Sequence, residues 1–128
     1  MSAPIVYVGK YRIVEGKLEE FRQVAKEIAA FVEANEPQLI AYNEYINEEG
    51  TEASGIQIHP DSASMETHLN VAGQAFGKAM ELFEDVKIDL YGTPSAPLLE
   101  RLNQMAQMFG VSLTVHEPQA GFSRLPKS

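Results

Sequence analysis

The stretch Ile58-His59-Pro60-Asp61-Ser62-Ala63-Ser64-Met65-Glu66-Thr67-His68 contains a change of backbone period, and that change decides the fold. Residues Ala53 to His59 alternate as a strand does. Pro60 then removes a donor from the sheet ladder, and Asp61 or Ser62 can accept hydrogen bonds from the orphan amides of a new helix. From there Met65, Leu69, Ala72, Phe76, Met80 and Phe83 recur at helical spacing. His68 lies three residues after Met65 and one before Leu69, so it borders the inward stripe of that helix.

Outward from this junction, residues Ile5 to Ile13 alternate as a first strand. After the Glu15-Gly16 turn, Leu18, Phe21, Ala25, Ile28 and Val32 mark a helix that ends near Asn35, because Pro37 disfavours helical geometry at Glu36. Leu39 to Asn47 and Ala53 to His59 form an antiparallel pair across the Gly50-containing connection. Val86, Ile88 and Leu90 alternate as a fourth strand closed by Gly92, which completes a βαββαβ order. Thr93-Pro94-Ser95 introduces a third helix bearing Leu98, Leu99, Leu102, Met105 and Phe109, stopped by Gly110. Val111, Leu113 and Val115 suggest a fifth strand, and Glu117 to Ser128 an extended arm anchored by Phe122 and Leu125. The expectation is one α+β domain over 1–128, with a ferredoxin-like core of about 4–93 and a C-terminal extension of 94–128.

A chain of 128 residues with 45% hydrophobic residues can bury one core without covalent tethers. The absence of cysteine excludes disulfides, zinc-thiolate sites and thiol nucleophiles, and fits a reducing, cytoplasmic setting. A formal net charge of −8 repels phosphate backbones and anionic bilayers, so neither nucleic acid nor membrane is an expected partner. The longest apolar runs fall far short of the ~20 residues needed to span a bilayer.

In a βαββαβ chain, right-handed crossovers place both helices on one face of the sheet. The strands are nevertheless apolar or aromatic on both faces: Tyr7 and Tyr11 oppose Val6 and Val8, and Tyr45 opposes Tyr42 and Ile46. Exposing such a face would leave a large apolar patch in water, so pairing with an identical sheet as a homodimer is expected. The alternative is that the third helix and last strand cover that face within one chain.

The βαββαβ order, the Gly16-Lys17-Leu18-Glu19-Glu20-Phe21 start of helix one, the Ser62-Ala63-Ser64-Met65-Glu66-Thr67-His68 start of helix two and the Ile88-Asp89-Leu90-Tyr91-Gly92 closing strand together resemble the antibiotic biosynthesis monooxygenase family of dimeric α/β barrels. The resemblance covers residues 4 to about 93. It implies a homodimer with a pocket in each subunit between sheet and helices, binding a small aromatic or apolar ligand. Some members oxidise quinols or polyketide aromatics with dioxygen and no cofactor. Haem-degrading members place a tryptophan in helix two ahead of an iron-ligating histidine. The corresponding positions here are His68 and Lys78, and a protonated lysine has no lone pair for iron. The expectation is a cofactor-independent monooxygenase acting on a small aromatic or quinol, without metal. The alternatives are a non-catalytic dimeric barrel binding a small apolar molecule and an isomerase of muconolactone type on the same scaffold.

His68 is the candidate catalytic residue: a neutral imidazole at a partly apolar cavity can accept a phenolic proton and leave an electron-rich anion. Tyr7 and Tyr45 are expected to contact substrate, since their rings can stack on a planar ligand and hydrogen-bond its oxygens. Of Asn43 and Glu44, one should face the cavity, and Asn43 is the candidate ligand contact. Met65, Phe76 and Met80 form a pliable apolar wall, which is also what a core stripe would look like. His59, Asp61 and His68 are possible metal ligands, but their spacing matches no metal motif and a surface or capping role for His59 is favoured. His116 is taken as incidental. Gly73-Gln74-Ala75-Phe76-Gly77-Lys78-Ala79 is one residue short of a phosphate loop and lies inside a helix.

Overall fold

The computed structural model describes residues 4–125; residues 1–3 and 126–128, the latter including the end of the expected arm, lie outside it. Strand β1 (Ile5–Ile13) leads to helix α1 (Leu18–Asn35), then β2 (Ala41–Ile46), β3 (Glu52–His59), α2 (Ser62–Ala79), β4 (Phe83–Tyr91), α3 (Ala96–Phe109) and β5 (Ser112–His116). The sheet order is β2-β3-β1-β4-β5, antiparallel throughout except for the parallel β4–β5 pair. This is the ferredoxin-like α+β arrangement with one added helix and one added strand.

Local chemistry sets the boundaries. Asp61 caps α2 by accepting from the Ser64 amide at 2.9 Å, and Ser95 caps α3 by accepting from the Leu98 amide at 3.3 Å. Gly110 ends α3 in the left-handed region (φ 64°), and the Val111 amide beyond it bonds the Ala106 carbonyl at 2.9 Å. The end of α2 differs from the reading of its stripe. The helix stops at Ala79, a 3₁₀ turn follows over Met80–Leu82, and Phe83 belongs to β4. Leu82 is buried in this turn, and its carbonyl accepts from the Val14 amide at 2.9 Å, which lengthens the β1–β4 ladder beyond the expected Val86 start.

All three helices lie on one face of the sheet. Leu98 and Leu102 of α3 are fully buried in the same core as Met65 of α2 and Ile5, Ile88 and Leu90 of the strands. Because β5 runs parallel to β4, α3 is a crossover helix like α1 and α2, and the same handedness returns it to the same layer. The alternative in which α3 shields the opposite face is therefore overturned.

That opposite face carries Val6 beside Ile58 and Val8 beside Ile56 on paired strands, flanked by the exposed rings of Tyr45 and Tyr91. No helix among the described residues crosses it. On the helical face, Gly9 and Gly55 sit side by side beneath Tyr11: a Cβ at either would lie 2.5 Å or 2.8 Å from the Tyr11 hydroxyl oxygen. Two neighbouring glycines thus let a full tyrosine ring lie flat against the sheet and stack on Phe83 at 4.5 Å. No helix among the described residues is long and apolar enough to cross a membrane.

Candidate active site

The β3–α2 junction places two histidines in the interior. His59 is the last residue of β3 and fully buried. Its Nδ1 lies 2.8 Å from the Ser64 hydroxyl and its Nε2 2.9 Å from Gln57 Oε1. Since an amide oxygen can only accept, Nε2 carries the proton and Nδ1 accepts from Ser64. Burial, and then repulsion from His68, push the His59 imidazolium down to about 3, so this residue stays neutral. The expected surface role for His59 is corrected: parity with Ala53, Gly55 and Gln57 turns it inward. With its two nitrogens engaged and Asp61 capping α2, His59, Asp61 and His68 do not converge as a ligand set.

His68 Nδ1 lies 2.9 Å from both carboxylate oxygens of Glu36. Glu36 is 2% exposed. It follows the last residue of α1, keeps its amide on the Val32 carbonyl at 2.9 Å, and is turned inward where Pro37 forces the chain out of helical geometry. A carboxylate only accepts, so this bond assigns a proton to His68 Nδ1, and in the neutral ring the lone pair is then on Nε2. Nε2 makes no hydrogen bond among the described residues. The Tyr42 ring tilts against the imidazole at 5.8 Å.

His68 stands at the boundary of two cavities. The larger, of about 290 Å³, lies between α2, α3 and the sheet and is lined by Tyr7, Gln57, Met65, His68, Phe76 and Arg101 among others. The smaller, of about 40 Å³, lies under α1 and is lined by Tyr11, Tyr42, Glu44, Phe83 and apolar residues of α1. His68, Gln57, Ala72 and Phe76 line both. Of the residues expected at the pocket, His68, Tyr7, Met65 and Phe76 therefore lie in its wall.

Three do not. Tyr45 is 52% exposed on the outer face, because Ala41, Asn43 and Tyr45 share one parity of β2 and Tyr42, Glu44 and Ile46 the other. Asn43 is exposed at a groove along the sheet edge, and the inward polar residue of the pair is Glu44. Met80 is carried off the stripe by the 3₁₀ turn and packs against the core.

Glu36, Gln57 and Arg101 were missed. An acid at the C-terminal end of a helix, where the dipole disfavours it, was the available signal for Glu36. Strand parity with His59 was the signal for Gln57. The Gln57 oxygen is taken by His59, so its amide group is left as a donor at the shared cavity wall. Glu44 has one buried oxygen with no hydrogen-bond partner among the described residues, and burial pushes its carboxyl up to about 7. Burial likewise raises the Tyr7, Tyr11 and Tyr42 hydroxyls above the usual phenol range, so they act as neutral donors. The arrangement offers an oriented imidazole base, a fixed amide donor, neutral phenols and a protonatable carboxyl around an apolar space.

The sequence matches no family model and no curated protein. Solved structures do share the fold. MupZ from Pseudomonas fluorescens superposes with a TM-score of 0.74 at 19% identity over 96% of both chains. SnoaB, a cofactor-independent oxygenase from Streptomyces nogalater, gives 0.61 at 16% identity over 74% of this chain and 97% of its own. A conserved protein from Methanosarcina mazei gives 0.62 at 20% identity over 70% and 91%. At these identities the likeness establishes the fold alone.

The buried Glu44 carboxyl makes stability depend on pH in a definite direction. The folded chain keeps a proton that the unfolded chain, with the ordinary value of 4.5, releases first. Its favourable contribution is present below about 4.5 and is lost as pH rises through about 7, by at most about 3 kcal/mol. His59 acts in the opposite sense, losing stability as pH falls from 6.5 towards 3, and is common to both proteins compared. Urea unfolding of Glu44→Gln and the parent at a series of pH values should therefore show the variant gaining about 2–3 kcal/mol relative to the parent between pH 4.5 and 7.5. Parallel curves for the two proteins would contradict the buried neutral carboxyl.

Proposed function

We propose that the protein is a cofactor-independent monooxygenase-type enzyme acting on a small aromatic or quinol, with His68 as the general base. The observation that carries this reading is the Glu36–His68 pair, in which both carboxylate oxygens sit 2.9 Å from Nδ1 and direct the opposite nitrogen to a mostly apolar cavity. Its fold is shared with SnoaB, a cofactor-independent oxygenase.

The reaction balances without a further reductant. His68 Nε2 removes a proton from an activated aromatic CH₂, and the carbanion transfers an electron to dioxygen. Recombination gives a peroxide, and loss of water from it leaves a carbonyl: CH₂ and O₂ become C=O and H₂O. The proton held on His68 returns to the departing hydroxide. The Gln57 amide and the neutral Tyr7 hydroxyl are suited to hold the negative oxygen of the anion, and Glu36 to hold the imidazolium.

Oxygen uptake across a panel of anthrones and quinols should exceed the buffer rate for at least one compound. His68→Ala should lower kcat for it by about 10²–10⁴ with a smaller change in KM, and Glu36→Gln should lower it in the same direction. No acceleration for any compound, or an unchanged rate in His68→Ala, would overturn the reading.

The working unit is proposed to be a homodimer closed through the outer face, where Val6, Val8, Ile56 and Ile58 form a continuous apolar strip between Tyr45 and Tyr91. Light scattering at micromolar concentration should give twice the 14.1 kDa chain mass for the parent and a single chain mass for Val8→Asp. A parent that scatters as one chain would refute the assembly.

A further inference from the structure

We propose that the ligand of the larger cavity carries a carboxylate, held by Arg101 at the cavity mouth, while its apolar body extends towards His68. This rests on the reading of that cavity as the substrate site, and it adds the charge class of the substrate.

Arg101 of α3 lines the cavity but belongs to neither the core nor an ion pair. In a chain with eighteen acidic side chains, none among the described residues lies within salt-bridge distance of it. Two neutral acceptors of α2 hold it instead. The Asn70 side-chain oxygen accepts from Nη2 at 2.8 Å, and the Glu66 carbonyl from Nη1 at 3.4 Å. A guanidinium has five N–H groups in a planar fork, so donors remain for a carboxylate, and the side chain is already positioned to offer them. No aspartate or glutamate lines this cavity to compete for them.

The helix fixes where the anion sits relative to the base. Glu66 and Asn70 lie two residues on either side of His68, each roughly 160° around α2 from it at 3.6 residues per turn. Between these two flanks runs the apolar stripe of Met65, Leu69 and Phe76, faced by Met105 and Phe109 of α3. A ligand touching both Arg101 and His68 must therefore cross that stripe, a span on the order of 10 Å, about one helix diameter. A planar bicyclic carboxylate meets this length and fits about 290 Å³.

Calorimetric titration of the full chain with naphthoate and with its methyl ester tests the assignment independently of turnover. The acid should bind the parent at least about ten-fold more tightly than the ester, and Arg101→Gln should remove that preference while leaving ester binding unchanged. Arg101→Lys should restore part of it. His68→Ala should keep the preference, and a parent that accelerates oxygen uptake with no compound yet binds the acid selectively would sink the oxygenase reading and leave this one standing. Equal binding of acid and ester to the parent, or no binding of either, would overturn the proposal. So would an unchanged preference in an Arg101→Gln protein whose circular dichroism matches the parent.

Discussion

The interior is organised around one buried hydrogen-bonded pair, Glu36 and His68. Removing a carboxylate from water costs several kcal/mol, and a neighbouring imidazole offsets this only if the carboxylate keeps good hydrogen bonds. Glu36 has them: both oxygens lie against His68 Nδ1, and the Gln38 amide reaches Oε1 at 3.4 Å. The surrounding elements serve that geometry. Helix α1 must end at Asn35 so that Glu36 turns inward, and Pro37 enforces the exit. Asp61 must cap α2 so that His68 falls on its inner flank.

Around the pair, the protein uses neutral groups where further charges would be costly. His59 is held unprotonated and spends both ring nitrogens on Ser64 and Gln57. Tyr7, Tyr11 and Tyr42 are neutral donors, and the Glu44 carboxyl favours its protonated form below about pH 7. His59 thereby decides which end of Gln57 faces the cavity, and Glu36 decides which nitrogen of His68 does. Each group facing the cavity is oriented by a buried partner behind it, as a site that works on protons in a low-dielectric space requires.

The fold was legible because its signals are periodic and local. The alternation of Ile5–Ile13, the break at Pro60 and the Ser95 and Gly110 caps each specify backbone geometry without reference to distant residues. Phe83 misled for a local reason too: it continues the helical spacing of Phe76 and Met80, but the Val14–Leu82 hydrogen bond pulls the chain into the sheet. The site was half legible. His68 and Tyr7 follow from position within one element. Glu36 does not, since its partner is thirty-two residues away and the pairing depends on how α1 packs over α2. On β2 both faces carry tyrosine, so apolar patterning alone could not say that Glu44 points inward and Asn43 and Tyr45 outward.

The central claim is that Glu36 fixes the His68 tautomer with Nε2 unprotonated and open to the cavity. Nitrogen-15 NMR of the histidine rings at neutral pH reads this directly. The account predicts that His68 shows a protonated Nδ1 and a pyridine-like Nε2, and that Glu36→Gln disturbs this pattern while leaving His59 unchanged. A His68 ring protonated at Nε2 alone, or one indifferent to Glu36→Gln, would contradict it.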